Sequence, residues 1–217
     1  MVEQKSYQFR VLKTEEQQRA VFDWWFAMEE RKGERADLRR YPHGGEAMRS
    51  LGTFRLMNKL SSLNLKVSER AIASVAYILS SLKVNQDFLG YDQPKENLVK
   101  ADQYFEKLLK NLVSLAKLLG TESEQGSEKA VFSELRFRRL LQASAELDDE
   151  DFDKQMRRAV SQIKNKESTF LNPVVLADHI FYRYRATRNP DWYAGARQFE
   201  YQFAKDYYQQ MFSYLKD

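Results

Sequence analysis

The sequence contains no cysteine and only two histidines, His43 and His179, which lie far apart in the chain. The lack of cysteine excludes disulfide bonds, thiolate nucleophiles and cysteine-ligated zinc. Histidine is the usual general base and a common metal ligand, so two isolated copies argue against an enzyme. The sequence also has neither a Glu-x-x-His pattern nor a glycine-rich phosphate loop. We therefore expect no catalytic residue, no metal ion and no cofactor.

Turn-forming residues and long apolar runs are also scarce. Eight glycines and four prolines are too few for the many turns of a β-sandwich or barrel. The longest nearly apolar stretch, residues 71–82, contains serines and is shorter than the ~20 residues that span a membrane. The first ten residues lack the apolar segment of a signal peptide. We expect a cytoplasmic protein with neither a membrane partner nor a small-molecule substrate.

Signals for helix starts recur along the chain, and no stretch shows sustained strand alternation. Thr14 and Gln17 match a capping box, and Ser68 precedes an alanine-rich segment. Asn172-Pro173 combines an N-cap residue with proline at the first helical position. The predicted helices begin near residues 15, 34, 45, 69, 94, 131, 148, 173 and 190. We therefore predict an all-α protein of about eight to nine helices.

One polar, glycine-containing stretch, GTESEQGSEK at residues 120–129, interrupts the helical pattern. Helical periodicity continues on both sides of it. This break predicts two small helical bundles. The N-terminal bundle would comprise residues 1–120, residues 121–129 would form a linker or exposed loop, and residues 130–217 would form the C-terminal bundle.

Positive charge is concentrated in one part of the chain. The whole sequence has 35 basic and 31 acidic residues, a net charge of +4. Residues 31–60 alone contain eight basic and three acidic residues, so this segment exceeds the net charge of the entire chain. An uneven distribution of this kind indicates a basic surface on an otherwise nearly neutral protein.

The first basic cluster lies in the segment GERADLRR at residues 33–40. Arg35 and Arg39 are four residues apart and share a helix face, with Arg40 beside them. Guanidinium groups bind phosphate oxygens through two hydrogen bonds, so this helix is a candidate for nucleic-acid binding. In the alternative interpretation, the arginines form a solvated face that pairs with Glu34 and Asp37.

A second basic cluster is divided between two later helices. The candidate nucleic-acid-binding residues there are Arg136, Arg138, Arg139, Lys154, Arg157, Arg158 and Lys164. The acidic run at residues 148–153 could neutralise some of this charge or be mistaken for a metal site. Consecutive acids on a helix point in different directions, so we assign the run to charge compensation at a helix N-terminus.

The histidines and aromatic residues have mainly structural interpretations. We expect His43 to be a turn residue and His179 to be a structural residue of its helix. Trp24 and Trp25 follow the spacing of a helix core. The C-terminal tyrosines could stack on nucleic-acid bases or dock on a protein, and the sequence does not separate these roles. They are Tyr201, Tyr207, Tyr208 and Tyr214.

The order of several segments resembles the CasB family, the small subunits of the type I-E CRISPR interference complex, Cascade. The segments are FDWWFAMEERKGERADLRR, AIASVAYILSSL, LRFRRLLQAS, DFDKQMRRAVSQIK and NPVVLADHIFYRY. The resemblance covers about Phe22 to Arg185. Its most specific parts are the G-x-R-A-x-L-R-R block at Gly33 to Arg40 and the R-F-R-R-L-L block at Arg136 to Leu141.

The resemblance implies an all-helical, non-catalytic subunit. Two copies would line the inner face of the complex, between the RNA-bound backbone subunits and the large subunit. The basic surface would hold the crRNA–target DNA hybrid and the displaced non-target strand through backbone contacts. A second hypothesis, from a different class, is a helical adaptor that binds only proteins.

Overall fold

The computed structural model describes residues 7–84, 97–164 and 170–215, and the regular elements in these ranges are helices. The α-helices are α1 (Glu15–Phe26), α2 (Lys32–Arg40), α3 (Gly44–Ala47), α4 (Leu51–Ser61), α5 (Glu69–Leu79), α6 (Asn97–Lys110), α7 (Leu115–Gly120), α8 (Glu134–Ala145), α9 (Asp149–Lys164), α10 (Pro173–Arg188) and α11 (Phe199–Phe212). Short 3₁₀ helices lie at Ala27–Glu29 and Gly195–Arg197. The predicted all-α class is confirmed.

The described ranges contain two more α-helices than the nine starts predicted, because serines divide two segments that read as continuous helices. The hydroxyl of Ser50 accepts a hydrogen bond from the Thr53 amide at 3.1 Å and begins α4. The hydroxyl of Ser114 accepts one from the Lys117 amide at 3.2 Å and begins α7. Serine competes well for free amides at a helix start, and each serine therefore separates two helices. Pro94 lies outside the described residues.

Most of the other predicted helix starts are confirmed, but the last one is wrong. Thr14 and Gln17 form the capping box of α1, and the Asn172 side chain accepts hydrogen bonds from two amides of α10. The final helix begins at Phe199 and not near residue 190. Residues 190–193 form turns, and Gly195 has a φ of +58°, which the interior of a right-handed α-helix does not accommodate.

The hydrophobic core is shared by helices from both ends of the chain. α5 is buried from Ala71 to Leu79 and packs against α3, α4 and α10, while α1 packs against α4 and α10. Trp24 and Trp25 are buried in this core, as predicted. Residues on both sides of the 121–129 segment belong to one hydrophobic cluster. The division into two bundles at that segment stays a prediction.

A buried group of charged residues fastens α9 to the rest of the core. The Asp153 carboxylate is fully buried and accepts hydrogen bonds from Arg70 of α5 at 2.7 Å and from the Gly44 amide of α3 at 2.8 Å. Asp149, at the start of α9, pairs with the buried Arg183 of α10. Burial raises the pKa of Asp153, although Arg70 acts in the opposite direction. These contacts determine which face of α9 remains at the surface.

The segment before α1 is attached to α10 by a single carboxylate. The Asp178 oxygens accept hydrogen bonds from the backbone amides of Arg10, Val11 and Leu12 at 2.7–2.9 Å. The Tyr7 hydroxyl donates to the same group at 2.6 Å. Because three successive amides are satisfied by one buried acid, this segment is held firmly against α10.

Replacing Asp153 by alanine tests the buried charged group. Asp153→Ala leaves the largely buried Arg70 guanidinium without its closest acidic partner, so we expect a loss of about 3–5 kcal/mol in the free energy of unfolding. Glu150→Ala, at an exposed position of the same helix, is the control and should change stability by less than about 1 kcal/mol. Urea denaturation followed by circular dichroism measures both, and equal effects would contradict this assignment.

Limited proteolysis tests the predicted break at residues 121–129. Its central residues are exposed, and Gly126 has a φ of +78°. A protease of broad specificity, such as subtilisin, should cut between residues 123 and 128 before it cuts inside α5, because exposed turns fit a protease cleft better than buried helices do. The two fragments should co-elute on gel filtration, since they share one core. Early cleavage within α5 would be the opposite result.

Candidate nucleic-acid interface

The last turn of α2 presents two arginines at the surface. Arg39 and Arg40 are exposed, whereas the preceding residue of α2, Leu38, is fully buried in the core. Tyr41 is extended and Pro42 follows it, so the helix ends there. The result is a pair of guanidinium groups on a short helix that the buried leucine anchors.

Arg157 of α9 connects the second basic cluster to this helix end. Its Nη2 donates a hydrogen bond to the Arg39 carbonyl oxygen at 3.1 Å. Its Cζ atom lies 4.5 Å from the centre of the Tyr77 ring of α5. A cation at the C-terminal end of a helix interacts favourably with the free carbonyl groups there. Two clusters separated by more than a hundred residues therefore meet in the fold.

We call the combined feature the α2–α9 basic surface. It comprises Arg39, Arg40, Lys154, Arg157 and Arg158. The opposite face of α9 is buried in the core, and Lys154 and Arg158 lie on its exposed side. Among the described residues, no ion pair involves Arg39, Arg40 or Arg158. These cations are placed to bind phosphate oxygens.

The acidic neighbours of α2 are used elsewhere or face other groups. The Glu34 carboxylate lies 3.1 Å from the Arg55 guanidinium of α4. Lys154 approaches Glu150 only at 4.0 Å, on an exposed part of α9 where such a pair contributes little. Among the described residues, no ion pair joins Arg39 or Arg40 to Glu34 or Asp37, and a solvated face stays the alternative interpretation of these arginines.

Arg35 does not lie on this surface, and the expectation that it shares an exposed face with Arg39 is wrong. Arg35 is only 7% exposed. The guanidinium pairs with Glu29, and its Nε donates to the Ser80 carbonyl oxygen at 3.0 Å. Arg35 therefore fastens α2 to the ends of α1 and α5. The helix is short and packed on one side, so a separation of four residues is not enough to keep both arginines in solvent.

The arginines of α8 form a separate set. Arg136, Arg138 and Arg139 are exposed around the buried Phe137. Arg138 pairs with Glu134 at 2.6 Å, and hydrogen bonding to Tyr208 raises its already high pKa further. In the described part of the chain, no hydrogen bond or ion pair joins these arginines to the α2–α9 basic surface. Lys164 ends α9, and its side chain lies outside the described part.

The acids at the start of α9 serve structural purposes. The Asp148 carboxylate accepts hydrogen bonds from the amides of Glu150 and Asp151, which confirms the helix-start assignment. Asp149 and Asp153 bind arginines of neighbouring helices. In the described ranges, no group of three or more histidine or acidic residues is arranged to hold a metal ion.

The two histidines also have structural surroundings. His179 is buried, its Nδ1 lies 2.9 Å from the Val175 carbonyl oxygen, and burial lowers its pKa. The expectation of a structural histidine is confirmed. His43 precedes α3, and its Nε2 lies 3.4 Å from the Glu150 carboxylate. Within the described ranges, the helices are too short or too polar to cross a bilayer.

Three residues that shape this region were not predicted. Tyr77 lies in a largely apolar helix, and its contact with Arg157 depends entirely on how α5 and α9 pack. In the sequence, Arg70 and Arg183 look like the charged residues of any solvent-exposed helix face. In the fold they form ion pairs with Asp153 and Asp149 and so hold the acidic end of α9. No local signal distinguishes such arginines from solvent-exposed ones, because their partners are distant in sequence.

One comparison with known proteins identifies the family of the chain. The family model for CRISPR-associated protein Cse2 matches residues 34–208, from α2 to within α11. The chain therefore belongs to the Cse2 (CasB) family, and this makes it a subunit of the type I-E Cascade complex. The resemblance noted from the sequence is confirmed. Neither the curated proteins nor the solved structures contain a match.

Arg35 and Arg40 provide a matched test of which α2 arginines are structural. Arg35→Ala leaves the Ser80 carbonyl oxygen without this donor and should cost about 1–3 kcal/mol in unfolding free energy. Arg40→Ala, five residues along the same helix and exposed, should stay within about 0.5 kcal/mol of the parent protein. Thermal and urea unfolding compare them. The assignment fails if Arg40→Ala is the more destabilising change.

Proposed function

We propose that this chain is a non-catalytic small subunit whose α2–α9 basic surface stabilises the crRNA–target DNA hybrid and the displaced strand by contacts to their phosphates. The single observation that carries the proposal is the meeting of exposed arginines from two distant helices. Arg39 and Arg40 lie beside Arg157, and the described residues include no acid paired with the first two.

The chemistry of this surface suits backbone contacts rather than sequence reading. Arginine and lysine side chains on helix surfaces bind phosphates, and phosphate contacts carry no base information. In RNA-guided recognition, base pairing reads the sequence while the protein stabilises a nearly balanced strand exchange. A rigid helix pair with exposed cations meets that requirement.

The remaining expectations belong to the same proposal. Arg136, Arg138 and Arg139 of α8, with Lys164, would provide further phosphate contacts next to the main surface. The partners would be the backbone and large subunits, a second copy of this chain, the crRNA and both DNA strands. The protein would act in the cytoplasm, without a cofactor and without catalysis of its own.

Protein docking is the second candidate function, and one feature favours it. Leu51 and Phe54 are more than half exposed and lie three residues apart on α4. Neighbouring apolar side chains on one helix face are suited to contact with another protein. An adaptor role and phosphate binding are compatible in one subunit, so the experiment below asks whether nucleic acid is bound at all.

Two double variants test the basic surface within the assembled complex. Arg39→Ala/Arg40→Ala and Arg157→Ala/Arg158→Ala should still assemble, but they should bind target DNA more weakly. Each phosphate contact that is lost should flatten the plot of log K against log salt by about 0.7 on single strands and weaken all sequences alike. Binding measured at several salt concentrations gives both quantities.

A charge-matched control separates local contact from general electrostatics. Lys110→Ala/Lys129→Ala removes two exposed positive charges from other parts of the chain and should leave the salt slope unchanged. Wild-type target binding and an unchanged slope in both arginine double variants would leave protein docking as the function. Equal losses in the control would show that only the net charge matters.

A further inference from the structure

A second cationic site lies in a groove away from the α2–α9 basic surface. The groove has a volume of about 700 Å³. Its walls are the start of α1 with the residues before it, the 64–68 connection between α4 and α5, the end of α10 and the turn at Trp192 and Tyr193. This volume lies within the usual range for ligand sites, roughly 300–1,000 Å³.

The floor and rim of the groove differ in character. Buried side chains form the floor, among them Val11, Ala71 and Phe181. Exposed cations line the rim, and they include Lys66 and Arg188. Lys13 and Arg185 complete a set of four cations, whereas the described lining residues include no acid. An apolar floor with a rim of one charge sign is suited to an anionic ligand that has flat apolar parts.

Long-range hydrogen bonds hold two walls of the groove. The Asp178 carboxylate fixes the segment that leads into α1. The Arg185 guanidinium donates a hydrogen bond to the Lys66 carbonyl oxygen at 3.3 Å and so ties α10 to the 64–68 connection. Positions on such a scaffold can bind a ligand without first ordering the chain.

Trp192 is the unusual residue of this site. It is 65% exposed, while Trp24 and Trp25 are buried and donate their indole hydrogens to backbone carbonyl oxygens. The Cζ atom of Arg197 lies 4.9 Å from the centre of the Trp192 ring. An indole that lines a cationic groove and remains this exposed is a platform on which a nucleic-acid base can stack.

We propose that this groove binds a short single-stranded nucleic-acid segment, with a base stacked on Trp192 and phosphates at Lys66 and Arg188. The proposal rests on the function proposed above. It adds a base-contacting site to a protein whose α2–α9 basic surface would contact only phosphates. An acidic peptide would form ion pairs with the cations, but it would offer no planar group to stack on the indole or to cover the apolar floor. Stacking tolerates every base, so the site requires no sequence preference.

Tryptophan fluorescence of the full chain tests the proposal directly, since Trp192 is the exposed one of three tryptophans. A decamer of deoxythymidine should quench this emission. Trp192→Leu should abolish most of the quenching and weaken binding about tenfold, because base stacking on an aromatic side chain is lost. A decamer with abasic sugars should bind the parent protein and Trp192→Leu equally.

The matched variants separate this site from the α2–α9 basic surface. Lys66→Ala/Arg188→Ala should weaken both decamers, whereas Arg39→Ala/Arg40→Ala should retain the fluorescence quenching. If Trp192→Leu binds the deoxythymidine decamer as tightly as the parent protein does, the proposal of a base-stacking groove is wrong. The function proposed for the α2–α9 basic surface would not be affected by that result. Polyglutamate that displaces the decamer and quenches Trp192 equally well would also overturn it, in favour of a peptide site.

Discussion

The buried pairing of acids on α9 with arginines on α5 and α10 is the constraint on which the rest of the surface depends. Asp153 binds Arg70, and Asp149 binds Arg183. Buried charges that lose a partner are costly, so this arrangement strongly disfavours other placements of α9. With Asp153 buried against α5 and Asp149 held to α10, α9 presents Lys154 and Arg158 at the surface, and Arg157 reaches the end of α2.

The arginines of this protein therefore have two distinct uses. Arg35, Arg70 and Arg183 are buried or largely enclosed and connect helices through ion pairs and carbonyl hydrogen bonds. Arg39 and Arg40 are exposed at a helix end. The net charge of +4 does not reveal this division. What matters for nucleic acid is which cations keep their hydrogen-bond donors in solvent.

The proposed function draws on both membership of the Cse2 family and the geometry of the α2–α9 basic surface. A subunit that helps to hold an RNA–DNA hybrid needs cations on a rigid scaffold and no base-reading code. In the proposed function the α2–α9 basic surface would provide the cations, and in the further proposal the groove beside Trp192 would add an aromatic platform. The two sites differ in their chemistry, so salt dependence and base dependence separate them experimentally.

The sequence alone determined the all-α class, most helix starts and the family, because caps and apolar periodicity are local properties of the chain. The Ser50 and Ser114 caps were local too, but apolar periodicity on both sides obscured them. Only the tertiary structure decided that Arg35 is buried while Arg39 is exposed, that Arg157 meets Arg39 across the fold, and that Trp192 lines a groove. Burial and pairing depend on partners far away in sequence, and local patterns contain no information about those partners.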